Sequence, residues 1–164
     1  MSVKTATAQL AGFIEKFTPE VAAAANDALA RMRRRWPGAL ELVYDNYNAL
    51  AIGFSTTERA SDAVFSIAVF PRWVSLCFLQ TGAQLTDPKR LLKGSGTQVR
   101  HIRLASPADI DSPDVRALMR EALELAEVKI ARSAAKPRIV IKSVSAKQRP
   151  RRPKASRVRR QSQS

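Results

Sequence analysis

The chain reads as an α+β domain: a mainly antiparallel, twisted sheet of about five strands with helices packed on one face, followed by a disordered basic C-terminal tail. Three observations predict this. Apolar residues recur at helical spacing before Trp36 and again after Pro113. Between them, short alternating segments flank turn residues, as successive hairpins do. From Lys136 onward the pattern gives way to Arg, Lys, Ser, Gln and Pro, which cannot bury enough apolar surface to offset the entropy of ordering. Sequential hairpins imply antiparallel pairing with the helices gathered against the apolar face. Residues 1–135 suffice for one core, and 136–164 form the tail.

Thr7 to Lys16 predicts a short helix through Leu10, Phe13, Ile14 and Phe17, spaced i, i+3, i+4, i+7. Thr18-Pro19-Glu20 starts a second. The threonine caps, the proline sits where its missing N–H has no partner to lose, and the glutamate suits the positive end. Val21, Ala24, Ala25, Ala28, Leu29 and Met32 form its buried stripe, Arg33 to Arg35 oppose the dipole, and Pro37-Gly38 stops it.

In the first hairpin, Leu40, Leu42 and Tyr44 alternate with Glu41, Val43 and Asp45, and Leu50, Ile52 and Phe54 with Ala49, Ala51 and Gly53. Pairing about Tyr47 sets Tyr44 against Leu50, Leu42 against Ile52 and Leu40 against Phe54, which puts the large apolar side chains on one face. In the second, pairing about Pro71-Arg72 sets Val69 against Val74, Ile67 against Leu76 and Phe65 against Phe78. The other face then pairs Phe70 with Trp73, Ala68 with Ser75, and Ser66 with Cys77. Leu79 to Thr86 reads as a loop, and Asp87-Pro88 as the start of a short helix through Lys93 that Gly94-Ser95-Gly96 ends. Thr97 to Leu104 reads as a fifth strand. Ser112-Pro113-Asp114 repeats the capping logic for a helix carrying Val115, Leu118, Met119, Ala122, Leu125 and Ala126 to about Arg132. Within the tail, Arg138 to Val144 alternates weakly and offers an edge strand at most.

The 164 residues hold 28 Lys+Arg against 14 Asp+Glu, a net charge of +14. The last acidic residue is Glu127, and 11 of the basic residues lie from Lys136 onward, so residues 1–135 carry only +3. No run approaches the ~18 apolar residues of a membrane span, and the N-terminus lacks the pattern of a secretory signal, so a cytoplasmic protein is expected. The single cysteine, Cys77, allows no internal disulfide, and the single histidine, His101, leaves a triad or zinc site hard to build. An enzyme is not expected.

The ordered combination of Phe17-Thr18-Pro19-Glu20-Val21, Leu42-Val43-Tyr44-Asp45-Asn46-Tyr47-Asn48, Trp73-Val74-Ser75-Leu76 and Gly94-Ser95-Gly96-Thr97, leading to Arg100 and Arg103, resembles the YdhG-like family, also called domain of unknown function 1801. The resemblance spans roughly residues 8–130. It implies a small bacterial α+β domain with a twisted antiparallel sheet. Some members have been likened to frataxin-type iron chaperones. Iron handling of that kind needs clustered oxygen ligands, for which Glu41, Asp45, Glu58 and Asp62 are the available group. Arg31, Arg33, Arg34 and Arg35 repel a cation from the first helices.

Other candidate sites follow from residue types. Tyr44, Asp45, Tyr47, Asn48 and Trp73 gather polar and aromatic groups that can form a ligand or partner surface, while turn chemistry and packing account for them equally well. Lys93, Gly94, Ser95, Gly96, Arg100 and Arg103 can cradle an anion, or Gly94 can simply cap the helix before it. Ala49, Ala51, Gly53, Ser66, Ala68, Ser75 and Cys77 floor a small-residue face that leaves room for a ligand, a second copy of the chain or a packed helix. Lys147, Arg149, Arg151, Arg152, Lys154, Arg157, Arg159 and Arg160 form an uncompensated basic run that attracts phosphate backbones through counterion release. The expected function is a non-enzymatic binding domain whose tail engages nucleic acid non-specifically, without a cofactor. The alternative is an intracellular iron chaperone.

Overall fold

The computed structural model describes residues 4–128, 130 and 138–154. Its elements run α1 (Ala6–Glu15), α2 (Pro19–Arg35), β1 (Leu40–Asp45), β2 (Leu50–Ser55), β3 (Phe65–Val69), β4 (Val74–Phe78), β5 (Arg100–Arg103), α3 (Pro113–Leu125) and β6 (Arg138–Val144). Short 3₁₀ turns lie at Ala60–Asp62, Gly82–Gln84 and Pro107–Asp111. The sheet has six strands in the order β5-β4-β3-β2-β1-β6, antiparallel throughout except where β6 runs parallel to β1. No helix among the described residues is long and apolar enough to cross a membrane.

Local chemistry sets the helix starts. The hydroxyls of Thr5, Thr18 and Ser112 each accept a hydrogen bond from a first-turn amide, those of Ala8, Val21 and Val115. Each cap satisfies one N–H that has no partner within the helix. The second hairpin has the predicted register, Phe65↔Phe78 through Val69↔Val74, closed by the Phe70 amide donating to the Trp73 carbonyl at 2.9 Å. One face of the sheet carries Val43, Leu50, Ile52, Phe54, Phe65, Ile67, Val69, Val74, Leu76 and Phe78. These merge with Leu10, Ile14 and Phe17, with the α2 stripe, and with Val115, Leu118, Met119 and Ala122 into one core. Burying each of the phenylalanines contributes roughly 1.5–3 kcal/mol. Phe65 sits at its centre, stacked on Trp36 at 5.7 Å and edge-on to Phe78 at 5.7 Å.

The first hairpin departs from expectation by one residue. Asp45 pairs with Leu50, Val43 with Ile52 and Glu41 with Phe54, so the loop turns between Tyr47 and Asn48 and not at Tyr47. Glu41, Val43 and Asp45 therefore face the helices, and Leu42 and Tyr44 face the other way. The apolar alternation favoured the opposite face because it counted Glu41 and Asp45 as solvent-seeking. Each is instead buried against a cation. Glu41, 1% exposed, takes a two-pronged bond from the Arg33 guanidinium at 2.7 and 2.8 Å.

Three further expectations are corrected. Residues 87–93 form no helix: Asp87 adopts φ +42°, and its carboxylate accepts from the Leu91 and Leu92 amides. The third helix ends at Leu125, since Ala126 turns extended at ψ 135°; Arg132 lies outside the described residues. The tail is ordered over 138–154. Its strand β6 adds a sixth member to the sheet, and the chain beyond stays attached through Lys154. Arg157, Arg159 and Arg160 lie outside the described residues.

A basic and aromatic cleft at the strand ends

The strand register brings distant segments to one end of the sheet. The pairs Asp45↔Leu50, Leu50↔Val69, Val69↔Val74 and Ser75↔Arg103 put both hairpin tips and the end of β5 there. Because β6 is parallel to β1, it also finishes at this end, with Val144 beside Asp45. The chain leaving β6 then crosses the tips. The Ser145 amide donates to the Asp45 carbonyl at 2.8 Å, and the Arg149 amide to the Tyr47 carbonyl at 2.9 Å.

Asp45 fastens this crossing segment. Its carboxylate, fully buried, accepts from Arg151 at 2.8 Å and from Lys16 at 2.9 Å. The Arg151 guanidinium also donates to the Asn46 and Tyr47 carbonyls and lies 5.5 Å from the Phe17 ring. Burial alone pushes the Asp45 carboxyl up, but hydrogen bonds from Gln148, Lys16 and Arg151 and the nearby Lys16 charge reverse this and hold it below its ordinary value. Arg151 is thus spent on the fold, at 5% exposure, and is removed from the set of residues free to meet phosphate.

Between the tips and the crossing segment lies a cleft of about 600 Å³ lined by Asn48, Phe70, Pro71, Arg72, Trp73, Arg149, Pro150, Arg152, Pro153 and Lys154. Phe70 and Trp73 stack at 4.8 Å with their planes 19° apart. The Arg103 guanidinium lies 4.3 Å from the Trp73 ring, and that of Arg149 lies 5.6 Å from the Tyr47 ring. Arg72, Arg149, Arg152 and Lys154 are exposed, and no acidic side chain lines the cleft. Chemically this is a cationic groove with a flat π surface in its wall.

No family model, curated protein or solved structure matches this chain.

Of the surface expected at Tyr44, Asp45, Tyr47, Asn48 and Trp73, the structure brings Tyr47, Asn48 and Trp73 to this end in exposed or half-buried positions. Asp45 points into the core beneath them. Tyr44 lies on the opposite face of the sheet, its buried hydroxyl without a hydrogen-bond partner among the described residues and its phenol pushed up by burial.

The anion cradle does not assemble. Lys93 forms a two-way backbone bridge with His101, at 2.8 and 3.0 Å, so Gly94 (φ +118°), Ser95 and Gly96 belong to a strand-to-strand loop and cap no helix. Arg100 donates to the Gly96 and Val99 carbonyls of that same loop. Arg103, three positions along β5, projects to the other face of the sheet.

The acids of the iron alternative are dispersed. Glu41 is held by Arg33 and Asp45 by Arg151 and Lys16, while Asp62 accepts from the Thr57 hydroxyl at 2.7 Å and Glu58 meets Arg138 at 3.4 Å. Glu41 and Asp45 sit four residues apart on one strand face, about 13 Å. No group of three or more His, Cys, Asp or Glu able to hold a metal occurs among the described residues. These side chains do not fit an iron centre.

The small-residue face is partly filled from within. A Cβ on Gly53 would sit 3.4 Å from the Ala63 Cβ, where the connection between β2 and β3 folds over, and Ser66, Ala68 and Ser75 are buried by the chain itself. Cys77 is half-buried there, its thiol pushed up by burial, against a lowering hydrogen bond with Ser66.

Arg72 and Pro153 are cleft residues that the sequence did not single out, and Arg103, expected in the anion cradle, lies instead at the rim against the Trp73 ring. The available signal was Trp73 itself: an aromatic at a hairpin tip flanked by Arg72 recommends the tip as a stacking platform.

Proposed function

We propose that this protein is a nucleic-acid-binding module, without sequence reading, whose contact surface is the cleft at the strand ends. The carrying observation is the Phe70–Trp73 stack walled by Arg72, Arg149, Arg152 and Lys154. Stacking on an aromatic is available to any unpaired base, and arginine and lysine neutralise the backbone regardless of sequence. Paired bases inside a duplex present no free π face at this scale, so single strands are the preferred partner. The sequence holds three further basic residues after Lys154, whose charge adds to the attraction of the chain as a whole for a polyanion.

The division of labour differs from that of a free basic tail. The crossing segment supplies charge from a fixed position because Arg151 is locked under the hairpin tip, so exposed Arg149 and Arg152 on either side of it face a defined groove. Fluorescence anisotropy of the full chain with a labelled single-stranded DNA of mixed sequence tests this. Trp73→Ala removes the ring that backs Phe70 and holds Arg103, and weakens binding by about tenfold, within the ~1–3 kcal/mol of one base–aromatic stack. Arg149→Gln weakens it and lowers the salt slope. Equal affinities of Trp73→Ala and the wild type would show that the groove is not the contact surface.

A further inference from the structure

A second concavity lies away from these strand ends, where the C-terminus of α2 meets α3. It measures about 410 Å³ and is lined by Arg35, Trp36, Arg116, Met119, Arg120, Leu123, Glu124 and Ile130. That volume is in the range that holds a small organic ligand. Its apolar part is the Trp36, Met119 and Leu123 side chains. Its polar part is unusual in being made almost entirely of donors.

Two of those donors are stranded. Arg35 Nε and Trp36 Nε1 are buried and have no hydrogen-bond partner among the described residues, although Arg35 spends its Nη2 on Asp111 at 2.8 Å. Trp36 itself is only 8% exposed and is fixed by its stack on Phe65. A buried N–H without an acceptor carries its full desolvation cost, so native structures rarely leave such groups without some partner. Arg116 and Arg120 project from α3 one turn apart, exposed, with no acid paired to either among the described residues. Four N–H-bearing side chains therefore border one apolar hollow, opposed by the single carboxylate of Glu124.

We infer that this hollow is a binding site for a small organic anion: a carboxylate head on an apolar, preferably flat, body. The head accepts from the exposed Arg116 and Arg120 guanidinia, and the Arg35 and Trp36 side chains, whose stranded N–H groups lie below the surface, form the wall behind it. The body lies against Met119 and Leu123. Guanidinium forks match a carboxylate's two oxygens, which makes the head a carboxylate before a spherical anion.

The chain has two tryptophans, and they report separately on the two surfaces, Trp36 here and Trp73 in the cleft. Heteronuclear NMR of the full chain gives one indole N–H signal for each. Titration with naphthylacetate moves the Trp36 signal saturably and leaves that of Trp73 in place. Acetate, the head alone, and naphthylmethanol, the neutral body, each bind about tenfold more weakly or worse. The double variant Arg116→Gln/Arg120→Gln, both on the exposed side of α3, weakens naphthylacetate by about tenfold or more. An unmoved Trp36 signal overturns the site. So does equal binding of the neutral alcohol, which would make it an apolar hollow only, and so does indifference to the double variant. Failure of oligonucleotide binding at Trp73 leaves all three outcomes readable.

Discussion

A carboxylate with no solvent exposure keeps its charge only where cations meet it, and at Asp45 they arrive from opposite ends of the chain, Lys16 and Arg151. Removing one partner of such a pair leaves an uncompensated buried ion. Arg151→Leu should therefore lower stability by about 3 kcal/mol, the lower end of the range for breaking buried pairs, because Lys16 stays in place. Arg151→Lys should recover little, since an ammonium cannot reproduce the fork that reaches Asp45 together with the Asn46 and Tyr47 carbonyls. Urea denaturation of the variants measures both. The same carboxylate sets an acid limit. Its folded pKa lies below the unfolded value of about 3.9, so its contribution is complete above that pH and is lost as pH falls through the folded value. Asp111 behaves alike: burial raises it, and the Arg35 and Arg31 hydrogen bonds more than reverse the effect. Denaturation midpoints should hold level from neutral pH to about 4 and then fall, and Asp45→Asn should flatten that fall without abolishing it.

At the level of elements, what the sequence showed and what it hid divide by the kind of contact involved. Helix starts were legible because Thr18-Pro19-Glu20 and Ser112-Pro113-Asp114 act on their own neighbours. The second hairpin was legible because its two faces differ so clearly in size that a single register satisfies both. In β1 the two faces differ by Glu41 and Asp45 alone, and hydropathy scores them as outside residues. Their partners, Arg33 and Arg151, are 8 and 106 positions away, and no local pattern links them. The same long-range dependence left β6 only weakly legible: the edge strand that the alternation of Arg138 to Val144 offered forms because β1 presents a free edge and Arg151 closes on Asp45. A chain ending at Ala135 should consequently lose stability, with β1 left as an edge and Asp45 without Arg151. A chain ending at Lys154 retains every described contact and should melt like the full chain. Calorimetric melting of the two separates a structural role of 138–154 from a purely electrostatic one. The Gly82–Gln84 turn carries a sharper constraint. A Cβ on Gly82 would lie 2.5 Å from the Arg100 amide nitrogen and 2.9 Å from the Gln98 carbonyl oxygen, both backbone, so Gly82→Ala forces β5 away and should cost about 1–3 kcal/mol by the same denaturation assay.

Across the whole molecule, charge is distributed by the topology and not by the order of the sequence. The net charge of +14 is concentrated C-terminally in the sequence, and the parallel placement of β6 brings the basic residues that follow it, Arg149, Arg152 and Lys154, to the end of the sheet where Arg72 and Arg103 already lie. A field focused over aromatic side chains steers polyanions toward the one surface that can also stack on them. This gives the binding a quantitative signature. Neutralisation of phosphates by Arg72, Arg149, Arg152 and Lys154 alone implies a log–log salt slope of about −3 on single strands, at roughly −0.7 for each phosphate. If the residues after Lys154 engage the same strand, the full chain shows a steeper slope, and ending the chain at Lys154 returns it to about −3 while the loss caused by Trp73→Ala persists. A slope near zero would remove phosphate contact from the account altogether. A slope that depends on the residues after Lys154 but is indifferent to Trp73 would assign binding to terminal charge and leave the aromatic wall as packing.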